Sequence, residues 1–281
     1  MKQVYHSLLL ILLCSTWAVA QTKGPEKGHL IIAGGALQDT SVFSKFIALA
    51  GGKDGHIVVI PTAGGYEVNA ERRDRIITQW QSRGAGKVSV LHTNAKEEAD
   101  KNSFASVIDD AQGVWFTGGR QWRLVDAYAE TLVEQKLFEL LDRGGVIGGS
   151  SAGATIQGSY LARGDTRSNT VMMGDHEVGM GFIKNIAIDQ HTLARNRHFD
   201  MFEIIEKRPE LLGIAIDENT AIHVTGDSFE VLGQSYVLIY DGTHWDQQKG
   251  RFVPNERNQE RFHLLRKGGF YDLLTRKVIS R

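Results

Sequence analysis

Gly145-Val146-Ile147-Gly148-Gly149-Ser150-Ser151-Ala152-Gly153-Ala154 is the stretch on which the reading of this chain turns. An apolar run of strand type meets a glycine pair, and Gly149-Ser150-Ser151-Ala152-Gly153 then fits the spacing G-x-S-x-G. That spacing predicts a strand that stops, a sharp turn with a serine at its corner, and a helix that starts at once. So tight a corner strains its backbone, and a Cβ two residues to either side would collide, so glycine is required at both flanks. The serine hydroxyl would stand beside the first free N–H groups of the helix, where a developing oxyanion can be held. Taken alone, the pattern also describes a plain Gly/Ser turn between a strand and a helix.

The wording on either side repeats the same grammar. Apolar runs at 29–33, 56–60, 88–91, 113–116 and 146–147 read as buried strands. They alternate with helical stretches at about 42–49, 67–83 and 122–141. Glycines close the strands at 34–35, 118–119 and 148–149, in keeping with 31 glycines against only 4 prolines. This predicts an α/β fold: a mostly parallel, doubly wound sheet with helices on both faces. Ligands of such sheets gather at the carboxyl ends of the strands, so the three glycine turns should face one crevice. Beyond the elbow, 158–181 reads as an active-site loop or hairpin. Strands are expected at 186–188 and 213–216, with a polar helix at about 192–207 between them. Successive antiparallel strands at 220–225, 229–232 and 236–240 are added near the C-terminus. The tail from Asp241 to Arg281 should pack on a sheet edge.

Composition narrows the function. A net charge of -1 gives no general attraction to nucleic acid or to an anionic membrane. Neither a Walker A pattern nor G-x-G-x-x-G is present, so no nucleotide site is expected. Residues 1–20 read as a signal peptide: Lys2, an apolar run from Leu8 to Leu13 too short to span a bilayer, and Ala18-Val19-Ala20 before the cut. The expected location is therefore secreted or periplasmic, with 21–281 as a single α/β domain. Cys14, the one cysteine, falls within the leader. Cleavage after Ala20 would leave no disulfide, no cysteine nucleophile and no thiolate metal site.

A serine nucleophile needs a base, and the base needs an acid that fixes its tautomer. His191 directly follows the strand ending Asp189-Gln190, and Glu218 follows the next strand. Ser151, His191 and Glu218 would then share the carboxyl edge of the sheet. His191 also reads as a neighbour of a helix start, Glu218 as a turn acid, and an acid in 165–177 is an alternative partner for the histidine. Asp175, His176, Glu177, Asp189, His191 and His198 could ligate a metal, but their spacing matches no familiar metal pattern. No cofactor is called for. Two other functions compete: a serine esterase, and a non-catalytic binding protein that keeps the crevice. An α/β-hydrolase places its acid between serine and histidine, whereas the order here is Ser, His, Glu.

Four motifs together resemble the cyanophycinases. They are Gly149-Ser150-Ser151-Ala152-Gly153-Ala154, Phe116-Thr117-Gly118-Gly119-x-Gln121, Asp189-Gln190-His191 followed by Arg195 and Arg197, and Ile216-Asp217-Glu218-x-Thr220-Ala221. Cyanophycinases belong with the dipeptidase E type of serine peptidases, on a fold akin to class I glutamine amidotransferases. The resemblance runs from about Gly28 to Tyr240. It implies a serine exopeptidase for β-linked aspartyl-arginine units, with Ser151 as nucleophile, His191 as base and Glu218 as third member. It implies oxyanion N–H groups on Gly119 and Ala152, and substrate contacts from Gln121, Asp189, Gln190, Arg195 and Arg197. The expected partner is a peptide or isopeptide, with no nucleic acid and no membrane span, and a homodimer is compatible. Two positions depart from the family pattern. Arg120 stands where the family usually has an acid, and Asp200 or a neighbour where it usually has a third arginine. Arginines suit a carboxylate-bearing substrate, so these two changes leave open a related β-aspartyl or acidic peptide.

Overall fold

The computed structural model describes residues 23–248, 251–254 and 262–279. The expected signal peptide, with Cys14 and the cut after Ala20, lies outside the described residues. Five strands form the parallel heart of the larger sheet: β1 (His29–Ala33), β2 (His56–Ile60), β3 (Lys87–Val90), β4 (Gly113–Phe116) and β5 (Val146–Ser150). Their order is β1-β5-β4-β2-β3. The apolar runs are unbroken because both faces of these strands are covered. Leu30, Ile32, Val58, Ile60 and Phe116 pack with Leu124, Tyr128 and Leu137 on one side. Ile31, Ala33, Ile57, Val59 and Trp115 pack with Val42, Phe46 and Trp80 on the other. These helical partners come from α1 (Thr40–Leu49) and α2 (Ala70–Ser82) on one face and from α5 (Trp122–Tyr128) and α6 (Leu132–Asp142) on the other; two short helices, α3 (Lys96–Ala99) and α4 (Asn102–Ala105), lie between. Phe46, Trp80 and Trp115 meet edge to face with centroids 4.9 to 5.6 Å apart. Each such pair adds about 0.5–1.5 kcal/mol beyond its buried area.

The expected α/β class is the one observed, but the chain builds two main sheets rather than one. After the short α7 (Ala152–Thr155) come β6 (Gly158–Tyr160), β7 (Ile183–Gln190) and β8 (Leu212–Ile216), with α8 (Met201–Lys207) ahead of β8. β9 (Thr220–Thr225) and β10 (Ser228–Gly233) form a hairpin that extends the larger sheet, β9 running antiparallel to β1. β11 (Tyr236–Asp241) instead lies antiparallel to β8 in the second sheet. Among the described residues, β12 (Trp245–Gln248) and β13 (Arg251–Pro254) pair only with each other. Of the remaining strands, β14 (His263–Arg266) borders the second sheet, while β15 (Phe270–Asp272) and β16 (Lys277–Ile279) border the first. Of the described tail, β14, β15 and β16 thus lie at sheet edges, while β12 and β13 join neither main sheet. The inner face of the second sheet, with Ile186, Ile188, Ile214, Ile216 and Ile239, joins the same apolar cluster as the first. Its outer face packs Ala187, Ala215 and Tyr240 against Met201, Ile204 and Ile205 of α8.

Two helices are shorter than the spacing predicts. The stretch 122–141 breaks between α5 and α6, where Ala129 turns extended and Glu130 takes φ 59°. There the Thr131 hydroxyl donates back to the Tyr128 carbonyl. The stretch 192–207 is helical only from Met201, because Asp217 Oδ1 captures the N–H groups of Leu193 and Ala194 and holds that segment in turns.

Candidate active site

Ser151 stands between β5 and α7 with φ 56° and ψ -114°, a left-handed conformation that strains a residue bearing a Cβ. The flanking glycines are steric necessities. A Cβ on Gly149 would come within 2.2 Å of the Gly153 carbonyl oxygen, and one on Gly153 within 2.3 Å of the Phe116 carbonyl oxygen. His191 follows β7 at φ 55° and Glu218 follows β8. β5 belongs to the larger sheet and β7 and β8 to the second, so the three residues meet across a seam between two sets of carboxyl strand ends.

The end of β1 fastens that seam. Successive carbonyls of Ala33, Gly34 and Gly35 accept the backbone N–H groups of Ser151 at 2.9 Å, His191 at 3.1 Å and Asn219 at 2.8 Å. All three site segments are thereby indexed to one strand. The Gly34-Gly35 pair was visible in the sequence as a strand-end turn, but this role depends on pairings that no local spacing reveals. Gly35 is also pressed against the histidine. At φ 120°, a Cβ there would stand 2.3 Å from His191 Cε1 and 2.7 Å from Nε2. Since the ring is held on both sides, Gly35→Ala is expected to displace it, cutting kcat by about 100-fold. The same overpacking should cost about 1–3 kcal/mol of folding stability. Turnover and denaturant unfolding of the purified variant check this, and wild-type turnover would refute it.

The side chains form one line. His191 Nε2 lies 2.9 Å from Ser151 Oγ, and Nδ1 lies 2.6 Å from Glu218 Oε1. Glu218, rather than an acid of the 165–177 loop, therefore faces the imidazole. His191 is buried, and this desolvation is the main cause that lowers its pKa below the ordinary 6.5. Glu218 pushes it up, while Arg195 and Arg197 push it down. Ala152 is the first residue of its helix, so its N–H has no intrahelical acceptor. Gly119 is exposed on the adjacent turn at φ 146°. That turn lies against the serine, since a Cβ on Gly118 would be 3.8 Å from Ser151 Oγ.

The other candidates divide. Arg195 is the more exposed of the two arginines, with Nε 4.0 Å from Glu218 Oε1. Arg197 is buried, and its Nη1 donates to the Gln190 carbonyl at 3.3 Å and approaches Gln190 Oε1 at 3.5 Å. Burial and the nearby Arg163 guanidinium both disfavour its charge. A carboxylate brought beside it would relieve that cost. Gln121 and Asp189, expected to contact substrate, are instead turned inward. Gln121 is 1% exposed and donates to the carbonyls of Ala162 and Arg163. Asp189 is 0% exposed and takes a bidentate pair from Arg163. Both are held by protein partners. Arg120 is half-buried and donates to the Asp165 carbonyl. Of the residues weighed as metal ligands, His176 lies between Asp126 at 2.9 Å and Asp175 at 3.0 Å. Carboxylates only accept, so those two contacts call for both ring nitrogens to carry hydrogens, in agreement with the raised pKa of His176. Sequence reasoning quoted Asp217 in the motif around Glu218 without seeing that it holds the turns after His191, and it missed Arg163, which no local spacing marks.

The sequence profile of peptidase family S51 matches residues 29–232, which include all the residues just described around Ser151. The chain belongs to peptidase family S51. Among curated proteins it is 28% identical to the cyanophycinase of Geminocystis herdmanii over 265 residues, covering 90% of this chain and 97% of that one. It is 28% identical to the cyanophycinase of Trichormus variabilis over 271 residues, covering 92% and 90%. Among solved structures, a peptidase from an acI-B1 Actinobacterium superposes with a TM-score of 0.64 at 23% identity, covering 89% of this chain and 98% of that one. That last likeness concerns the fold. This S51 protein is thus a peptidase, and the serine line at the seam agrees with a serine-type family member. Among the described residues no helix is long and apolar enough to cross a membrane.

Proposed function

We propose that this S51 peptidase is an exported serine exopeptidase that hydrolyses β-aspartyl isopeptide or related acidic peptide bonds through an acyl-enzyme. The observation that carries the reading is the hydrogen-bonded line Glu218–His191–Ser151, with His191 Nε2 2.9 Å from the hydroxyl. His191 Nε2 takes the Ser151 proton as Oγ attacks the scissile carbonyl. The tetrahedral oxyanion is held by the N–H groups of Gly119 and Ala152, each donor typically being worth about 10²–10³ in rate. Glu218 fixes the tautomer and steadies the imidazolium. His191 then gives its proton to the leaving amine. In the second half it takes a proton from the water that attacks the ester and returns that proton to Ser151 Oγ as the acid is released. No cofactor enters this cycle.

Three features support the isopeptide part. The curated relatives are cyanophycinases. Arg195 and Arg197 sit beside the base, where a guanidinium pairs well with a substrate carboxylate. Gln190 lines the same side. The leader residues support export to the periplasm or the medium.

The test uses protein recovered from an exporting host. It is presented with a β-aspartyl-arginine polymer, ordinary α-linked peptides and an aryl ester. Cleavage of the β-linked substrate well above the α-peptides is expected, from a chain whose N-terminus is Gln21. Ester cleavage alone would sink the peptidase specificity. An unprocessed chain retained in the cytoplasm would sink export.

A further inference from the structure

Arg163 falls in the loop after β6, where nothing in the local spacing distinguishes it. Yet it is 1% exposed and is one of the largest fully buried side chains among the described residues. A guanidinium cannot shed its charge inside a protein, so burial on this scale demands partners. Its Nε and Nη2 meet the two oxygens of Asp189 at 2.7 and 2.9 Å. Nη2 also donates to Asp200 Oδ2 at 2.6 Å, and Nη1 donates to the Asn169 carbonyl at 3.0 Å. Every guanidinium nitrogen is engaged within the protein. The backbone is engaged as well: Arg163 sits at φ 57°, and its carbonyl and that of Ala162 accept from Gln121 Nε2 at 2.8 and 2.7 Å.

These bonds run from one half of the site to the other. On one side Gln121 continues directly from the Gly118-Gly119 turn. Arg120, next to that turn, also reaches this loop through the Asp165 carbonyl. On the other side Asp189 lies two residues before His191, and its Oδ1 accepts the Gln190 N–H at 2.8 Å. Asp200 ties in the start of α8, close behind Arg197. The oxyanion turn and the base are carried by different sheets, and this ladder, buried behind the crevice, spans them.

We propose that Arg163 is a positioning residue for the reaction: its forked guanidinium holds the end of β7, and with it His191, in register with the Gly118-Gly119 turn and Ser151. The proposal rests on the serine-hydrolase reading above. It also explains why Asp200 is tolerated close to the base, since Arg163 takes up its charge.

The experiment measures the rate at which a fluorophosphonate labels Ser151, together with kcat and KM, on variants whose folding is checked by circular dichroism. Arg163→Lys keeps the charge but cannot donate twice in parallel to Asp189. A displaced base should slow labelling and kcat by about 100-fold, with KM moving less than about threefold. Arg167→Lys, on the same loop but with an 88% exposed side chain, should label at the wild-type rate. In Arg163→Gly, millimolar methylguanidinium should restore part of the lost rate with no change in the circular dichroism spectrum, whereas a merely structural role would restore rate and fold together. Folded Arg163→Lys that labels at the wild-type rate overturns the proposal. Should that variant not fold, Asp200→Asn decides: its carboxylate is 37% exposed, and losing this outer tie should still slow labelling about tenfold. A wild-type rate there overturns the positioning role. Wild-type protein that labels elsewhere than Ser151 overturns the serine-hydrolase reading instead.

Discussion

Ser151→Ala is expected to leave a folded protein whose peptidase turnover is lower by about a millionfold, the scale on which a serine nucleophile acts together with its base. The loss should be this large because nothing nearby can replace the hydroxyl. Ser151 Oγ is the atom that meets His191 Nε2, and the residue's left-handed φ of 56° turns it out of the strand to do so. Ser150 remains in β5, paired with Ala33 of β1, and cannot reach the same place without breaking that register. Alanine accepts the same backbone conformation at the same cost, so the fold should lose only the one hydrogen bond to the histidine, about 1 kcal/mol. Residual hydrolysis from the oxyanion donors alone would remain above the uncatalysed rate. The measurement is kcat on any cleaved substrate, with thermal unfolding alongside. Turnover within tenfold of wild type would remove Ser151 from the chemistry.

The second large effect concerns the acid. Glu218→Gln should lower kcat by about 10⁴, because an amide of the same shape no longer fixes the tautomer or steadies the imidazolium. It should also leave a signature in pH. Catalysis needs His191 neutral, so activity is full above its pKa and falls as pH drops through it. Burial holds that pKa below 6.5, so wild-type enzyme should keep its activity through neutral pH and lose it on acidification. Glu218 is the group that raises this pKa against burial and the two arginines. Removing its charge must therefore move the acid limb to lower pH even as the plateau drops. A pH–rate profile of both enzymes checks the two effects separately. A limb that moves upward, or a loss of less than tenfold, would mean that another group orients His191.

Much of the fold was legible because its strands are covered on both faces. Such strands cannot alternate polar and apolar residues, so 29–33, 56–60 and 113–116 stand out as runs, and the turns that end them must be small. Helix limits were less legible. The apolar period of α5 continues into α6, and only Glu130 in a left-handed conformation, with Thr131 bonded back to Tyr128, separates them. Likewise the segment after His191 has helical composition but is held in turns by Asp217 from another strand. The division into two sheets left no local mark. Only Asp217, Glu218 and Asn219 carry the chain from β8 in the second sheet to β9 in the first. That passage puts Glu218 at the seam.

The sequence by itself determined the corner. The spacing Gly149-x-Ser151-x-Gly153 marks it, and the clash that requires Gly149, with the Gly153 carbonyl, lies within five residues, whereas the one that requires Gly153 comes from Phe116 on the neighbouring strand. The sequence also placed His191 and Glu218 at strand ends, because a buried strand announces where it stops. Only the tertiary structure decided which groups face the crevice and which support it from behind. Asp189 and Gln121 look like pocket residues in the sequence, but Arg163 and the carbonyls of 162–163 claim them. Whether a carboxylate faces a substrate or a buried guanidinium depends on what lies across space from it, and spacing along the chain carries no record of that.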